Sequence, residues 1–198
     1  ATSTNSYNVA MGYNTGHNVT TGIQNTLIGG LAGDALTDAA FNVAVGISTL
    51  SSDTKGNRSV AIGYAALETQ NFTTSTDSYN TAVGALAGLS VTTGIYNTLI
   101  GGLAGDALTD ADYNVGVGYG ALTRDTLGDF NVAMGYGALY TNTLGSKSTA
   151  IGVSALQNQN YTTATDSNNT AVGYVAGLSI TTGISNTLVG ALTGDALT

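Results

Sequence analysis

The chain has 198 residues, of which 42% are hydrophobic and only 8% charged, with four Lys or Arg and a net charge of −8. So few basic groups exclude the cationic footprint that nucleic acids or anionic membranes require. The lack of Cys excludes a disulfide framework or thiolate metal site. Charge is far below the roughly 25% of ordinary soluble domains, yet no apolar run approaches the roughly 18 residues that span a bilayer.

In chain order, one short motif dominates. Asn-[Thr/Val]-x-[Val/Ile/Met]-Gly begins at Asn8, Asn25, Asn42, Ser59, Asn80, Asn97, Asn114, Asn131, Ser148, Asn169 and Asn186. The steps are 17 residues, except two of 21 that follow Ser59 and Ser148. A fixed period of this size predicts a repeat array, not a globule built around one cleft. The Asn or Ser is position 0 below. Position +1 is always Val or Thr, +3 is always Val, Ile or Met, and +4 is always Gly. That is a short strand ending in a corner, because Gly tolerates positive φ. Gly recurs at +14 in most repeats and reads as a second corner. Two corners and two short strands per 17 residues predict an all-β fold, a parallel β-solenoid of about 17 residues per coil. Eleven coils spaced by about 4.8 Å make a rod on the order of 50 Å long.

Alternation along a strand puts +1 and +3 on one face. Both columns are apolar or β-branched, so they are expected to point into the coil. Positions 0 and +2 then face the other way, with Asn8, Asn25, Asn42, Asn80, Asn97, Asn114, Asn131, Asn169 and Asn186 stacked as an amide ladder. Position +8 is only Leu or Gly. Where it is Gly, +6 is usually Leu or Val, so one interior slot is expected to be filled from either position. Aromatic residues gather at −1 (Tyr7, Phe41, Tyr79, Tyr96, Tyr113, Phe130) and at +5 (Tyr13, Tyr64, Tyr119, Tyr136, Tyr174). Coil-to-coil or subunit stacking is the expected role, and a carbohydrate-binding stripe the alternative.

The array extends over 1–198 as a single domain in blocks 8–79, 80–168 and 169–198. It opens before a motif and stops within a repeat, as expected of a segment of a longer fibre. The linkers 67–79 and 156–168 carry four additional residues each, which are expected to bulge outward. Loops on a rigid scaffold are favoured binding sites. The candidate partner-binding residues are therefore Asn71, Phe72, Thr73 and Thr74, with Asn160, Tyr161, Thr162 and Thr163. Phe72 and Tyr161 are expected to supply apolar contact, and the neighbouring Asn and Thr hydrogen bonds. Asn71-Phe72-Thr73 and Asn160-Tyr161-Thr162 are also glycosylation sequons.

No catalytic, cofactor or metal set is read. His17 is the only His and has no counterpart in other repeats. Asp34 and Asp38 recur as Asp106 and Asp110, without the ligand spacing of a calcium loop. The string 101–105 lacks the Lys of a phosphate loop.

The strings SVAIG (59–63), STAIG (148–152), NVAVG (42–46) and NTAVG (80–84, 169–173) resemble the repeat motif of YadA-like heads of trimeric autotransporter adhesins. NTAVG and YGAL units are also similar to repeats in bacteriophage tail fibres. The resemblance spans the chain through its period and implies a left-handed β-roll, three chains around one axis, and an extracellular, adhesive rod at a cell surface or on a virion. The departures are a longer repeat and the lack of a coiled-coil stalk, membrane anchor or chaperone domain within these residues. Adhesin, phage fibre and another surface filament stay open. A homotrimer is also expected because a single roll encloses a thin core, with the small +2 residues nearest the axis. The expected partners are further copies of the chain, end to end as well as around the axis, and a surface receptor or glycan. The alternatives are an ice-binding solenoid and a self-assembling filament without a receptor. A glycan hydrolase would need a facing carboxylate pair, which the repeats do not offer.

Overall fold

The structure is a computed structural model that describes residues 5–196. Residues 1–4 and 197–198 of the expected array lie outside the described residues. The described residues contain no helix. They form a parallel β-solenoid of about eleven turns with about 17 residues per coil. Eleven three-residue strands, from Val9–Met11 to Thr187–Val189, make one sheet whose order follows the sequence. Each motif position pairs with itself in the next coil: Val43 with Val60, Ala44 with Ala61, Val45 with Ile62. Such short strands persist because both flanking coils complete their hydrogen bonds. Thr26 N–H donates to Asn42 O, and Gly29 N–H to Met11 O, each at 2.8 Å.

The corner at +4 explains its glycine. All eleven have φ between 127° and 143°, a region closed to L side chains. A Cβ on Gly118 would also lie 2.6 Å from Gly135 O in the next coil.

The inward face is the opposite of the expected one. Ala44, Ala61, Ala82, Leu99, Ala133, Ala150 and Ala171, all at +2, are fully buried. The position-0 side chains from Asn25 to Asn169 are buried beside them. Positions +1 and +3 point outward, with Met11, Ile62, Ile100, Met134, Ile151 and Val189 exposed. The +2 column therefore lies inside each coil, and the expectation that it approaches a symmetry axis is corrected. Backbone hydrogen bonding is the reason. A buried amide is tolerated when both of its ends are bonded, and those of Asn are. Asn42 Nδ2 donates to Gly56 O across its own coil, and Asn42 Oδ1 accepts from Ser59 N–H in the next, both at 2.8 Å. Asn8, Asn25, Asn80, Asn97, Asn114, Asn131 and Asn169 repeat this pattern. The column thus joins coils through main-chain groups. Between members of this column, direct amide-to-amide bonds occur only between Asn8 and Asn25 and between Asn169 and Asn186.

The interior slot is shared by +8 and +11, not by +8 and +6. Where +8 is Leu (Leu50, Leu67, Leu122, Leu139, Leu156), +11 is Asp53, Gln70, Asp125, Asn142 or Gln159. Where +8 is Gly, +11 is Val19, Leu36, Val91, Leu108 or Ile180. A Cβ on Gly105 would meet Leu108 Cδ1 and Leu99 Cδ2, each at 2.7 Å. One aliphatic group per coil fills the same volume from either side. The +6 residues Leu31, Leu86 and Leu103 lie half-buried on the outer surface instead.

Candidate partner-binding faces

Three features of the surface and one of the interior bear on function. The first is the outer face of the eleven-stranded sheet. Its +1 and +3 columns are Thr, Val, Ile and Met throughout, and they are half-buried or exposed, with no other element of the described residues packed over them. The face is edged on one side by +5, where Tyr13, Tyr64, Tyr119, Tyr136 and Tyr174 are exposed. The other edge is the −1 column. The +3 column is apolar throughout and the +1 column is Val or Thr, a stripe of the kind that marks interaction surfaces.

The second feature is the −1 column itself. Tyr79, Tyr96, Tyr113 and Phe130 stack face to face, with centroids 5.4, 4.9 and 4.9 Å apart. Arg58 continues the stack between Phe41 and Tyr79. Ring faces within the column are thus occupied by neighbouring rings, leaving edges to solvent. All eleven −1 residues have φ between 50° and 64°, and none is Gly. That conformation costs roughly 1–2 kcal/mol per non-Gly residue. Aromatic stacking returns about 0.5–1.5 kcal/mol per pair.

The third feature is the pair of 21-residue coils. Gly56–Asn57 pairs with Thr76–Asp77, and Gly145–Ser146 with Thr165–Asp166. This register divides the four additional residues. Three form an exposed tip, 73–75 in one coil and 162–164 in the other. The fourth, Ser78 or Ser167, turns inward and is fully buried. Thr73, Thr74, Thr162 and Thr163 are exposed, as are Asn71 and Asn160. Phe72 and Tyr161, the expected apolar contacts for a ligand, are only 6% and 5% exposed. They fold beneath the tips, where Phe72 lies over Gly56 and Tyr161 over Gly145. The Tyr161 hydroxyl donates to Gly183 O at 2.8 Å. Burial makes these rings supports of the tip and not its contact groups.

Asn71 and Asn160 continue an outer column that is otherwise Thr. Thr37, Thr109 and Thr126 each donate to the carbonyl of the matching residue one coil on, at 3.0 Å. Thr54 and Thr143 donate instead to the side-chain oxygens of Asn71 and Asn160 and to the carbonyls of Phe72 and Tyr161. Each tip closes on itself, through Thr76 Oγ1 to Thr74 O and Thr165 Oγ1 to Thr163 O. Each also carries one surface ion pair, Arg58 with Asp77 and Lys147 with Asp166.

Beneath the tips lies the interior feature, a buried polar cluster that sequence reasoning missed. Ser59 and Ser148 are too short to make the contacts of Asn at position 0. Gln70 Oε1 accepts from Asn80 Nδ2, while Gln70 Nε2 donates to Ser59 Oγ and to Asp53 Oδ2. Ser59 and Ser78 share a hydroxyl hydrogen bond. Gln159, Ser148, Ser167 and Asn169 repeat the arrangement, extended through Asn142 to Asp125. Asp125 accepts from Gly128 N–H and from the amides of Asn131 and Asn142, but has no cationic partner. Burial pushes its carboxyl up to about 8, against those hydrogen bonds. Burial also raises Asp53. The available signal was the +11 column, where Asp, Asn and Gln replace aliphatic residues only in a 21-residue coil and in the one or two coils before it.

His17 is exposed, and no group of His, Cys, Asp or Glu among the described residues is placed to hold a metal ion. Asp106 accepts from Thr123, and Asp110 from Thr92 and Thr93, so these carboxylates bind neighbouring coils. Comparison with protein-family models, curated proteins and solved structures gives no significant match.

Proposed function

We propose that the chain is a segment of an extracellular adhesive fibre, a homotrimeric β-roll at a cell surface or on a virion that mediates attachment. The observation that carries this reading is the uncovered apolar sheet face with its two aromatic margins. Burying it against copies of itself around an axis is the closed solution for a self-complementary stripe. The +1 and +3 columns, and not +2, then face the axis. The −1 column adds support, because its exposed side chains hold a strained backbone that stacking offsets only in part. The resemblance to YadA-like heads points the same way. The proposed role is attachment, because the described surface presents repeated columns of side chains. Mass measurement in solution, with electron microscopy of the assembly, tests the reading. A stable monomer with its sheet face bare would overturn it.

A second reading gains from one observation. The +1 Thr and Val column faces outward on a regular sheet, as an ice-binding surface requires. The exposed Tyr columns at both margins and the long +3 side chains oppose contact with a flat crystal plane. Thermal hysteresis decides: its absence at high protein concentration ends this alternative.

A further inference from the structure

The two tips are built, not merely tolerated. A passive bulge would need only outward-facing residues. Here each tip coincides with Ser at position 0, an additional inward Ser, Gln at +11 and a buried aromatic beneath. Each also has an uncharged-to-acid replacement at +11 upstream, at Asp53 or Asp125. These changes put buried polar groups where other coils hold Val or Leu, and the chain keeps two copies of the set. Interior rearrangement that fixes an exposed three-residue loop is what preorganised recognition demands.

The chemistry at each tip narrows the ligand. Exposed groups are hydroxyls of Thr73, Thr74, Thr162 and Thr163, and the amides of Asn71 and Asn160. The carboxylates Asp77 and Asp166 are matched by Arg58 and Lys147. The tip residues present no large apolar anchor of the kind protein partners bury, and no uncompensated cation for a polyanion. Hydrogen-bonding groups alone make weak single contacts in water, so affinity must come from repetition. The tips occupy the same place in coils that are five apart, on one edge of the stack. At about 4.8 Å per coil they stand about 24 Å from each other.

We infer that the two tips are a paired recognition element for a repeating polyhydroxylated polymer, a surface glycan, that engages both at once. This rests on the adhesive reading and names its ligand class. Each subunit then binds bivalently, and an assembly multiplies the pairs.

The test compares the native chain with Thr73→Ala/Thr74→Ala, Thr162→Ala/Thr163→Ala and the fourfold variant. The probes are immobilised dextran, mannan, galactan and hyaluronan, together with whole cells. Exposed hydroxyls are removed, so melting temperature and assembly mass stay native and report folding. The expected result is binding of at least one polysaccharide, weakened about 100-fold by losing either tip and abolished by losing both. Native-like polysaccharide binding by the fourfold variant overturns the inference, as does binding confined to protein extracted from the cells. Equal attachment of native and fourfold variant to cells keeps the adhesive reading and removes the tips from it. Failure of the native chain to attach to any cell removes both.

Discussion

Asn97 Oδ1 accepts the N–H of Asn114 at 3.0 Å, while Asn97 Nδ2 holds Ala111 O in its own coil at 2.7 Å. One side chain thus closes a coil and fastens the next. Asn97→Ala strands a buried donor and a buried acceptor, each worth about 1–3 kcal/mol. We expect a loss of about 2–5 kcal/mol, seen as a lowered denaturation midpoint and as faster hydrogen exchange in coils 80–130. Native exchange in those coils would show that the amide is dispensable.

Stability should fall as pH rises. Asp125 titrates near 3.8 when unfolded and at about 8 when folded, so folding takes up a proton between those values. The stabilisation is complete below pH 4 and is lost as pH rises through 8. Asp53, Asp106 and Asp112, all raised chiefly by burial, act in the same sense. Asp110 is lowered by hydroxyls of Thr92 and Thr93 and opposes them, but it lies at the surface. Melting temperature should therefore climb on acidification from pH 8.5 to 5.5. Asp125→Asn should flatten the slope, whatever it does to the absolute value. An unchanged slope in that variant would assign the effect elsewhere.

The +2 and +3 columns should respond differently to charge. Ala133→Lys places an ammonium in a filled interior and should prevent folding of that coil, with a loss above 4 kcal/mol. Val117→Lys lies on the outer sheet face and should leave a single chain within about 1 kcal/mol of native. It should nevertheless convert the assembly to monomer, as measured by light scattering. A trimer that survives Val117→Lys would mean that subunits meet through another face.

Leu122 and Asp125 should be coupled. Leu122→Gly leaves a cavity costing about 2–5 kcal/mol, and Asp125→Leu crowds Leu122 by about 1–3 kcal/mol. The double variant has the Gly and Leu combination of Gly105 and Leu108, and should recover at least 1 kcal/mol of the summed loss. Simple additivity in that cycle would refute a shared slot.

The period, the corners and the eleven strands were legible because Gly at +4 and β-branched residues at +1 recur with every coil. The inward face was not. Hydrophobicity pointed to Val and Ile at +1 and +3, yet these form the outer surface. Asn and Ala went inside because each amide meets main-chain groups of two coils, a pairing visible only once Asn42 faces Gly56 and Ser59. Length alone placed outward loops within 67–79 and 156–168, but it did not show that only 73–75 and 162–164 form the tips while Ser78 and Ser167 turn inward. Phe72 and Tyr161 were misassigned, since an aromatic among Thr and Asn looks the same in sequence whether it faces solvent or supports a turn. Leu50 with Asp53, and Gly33 with Leu36, held the key to the interior, three residues apart in a column pair that no strand pattern highlights.

Because every motif position pairs with its own copy, the stack can grow only by whole coils. The second block already contains one more 17-residue coil than the first. Each such duplication moves the two tips apart by about 4.8 Å and alters neither. The molecule is in this respect a ruler with movable marks. The distance between its points of contact is set by a count of coils, and that count can change without redesign of a single side chain.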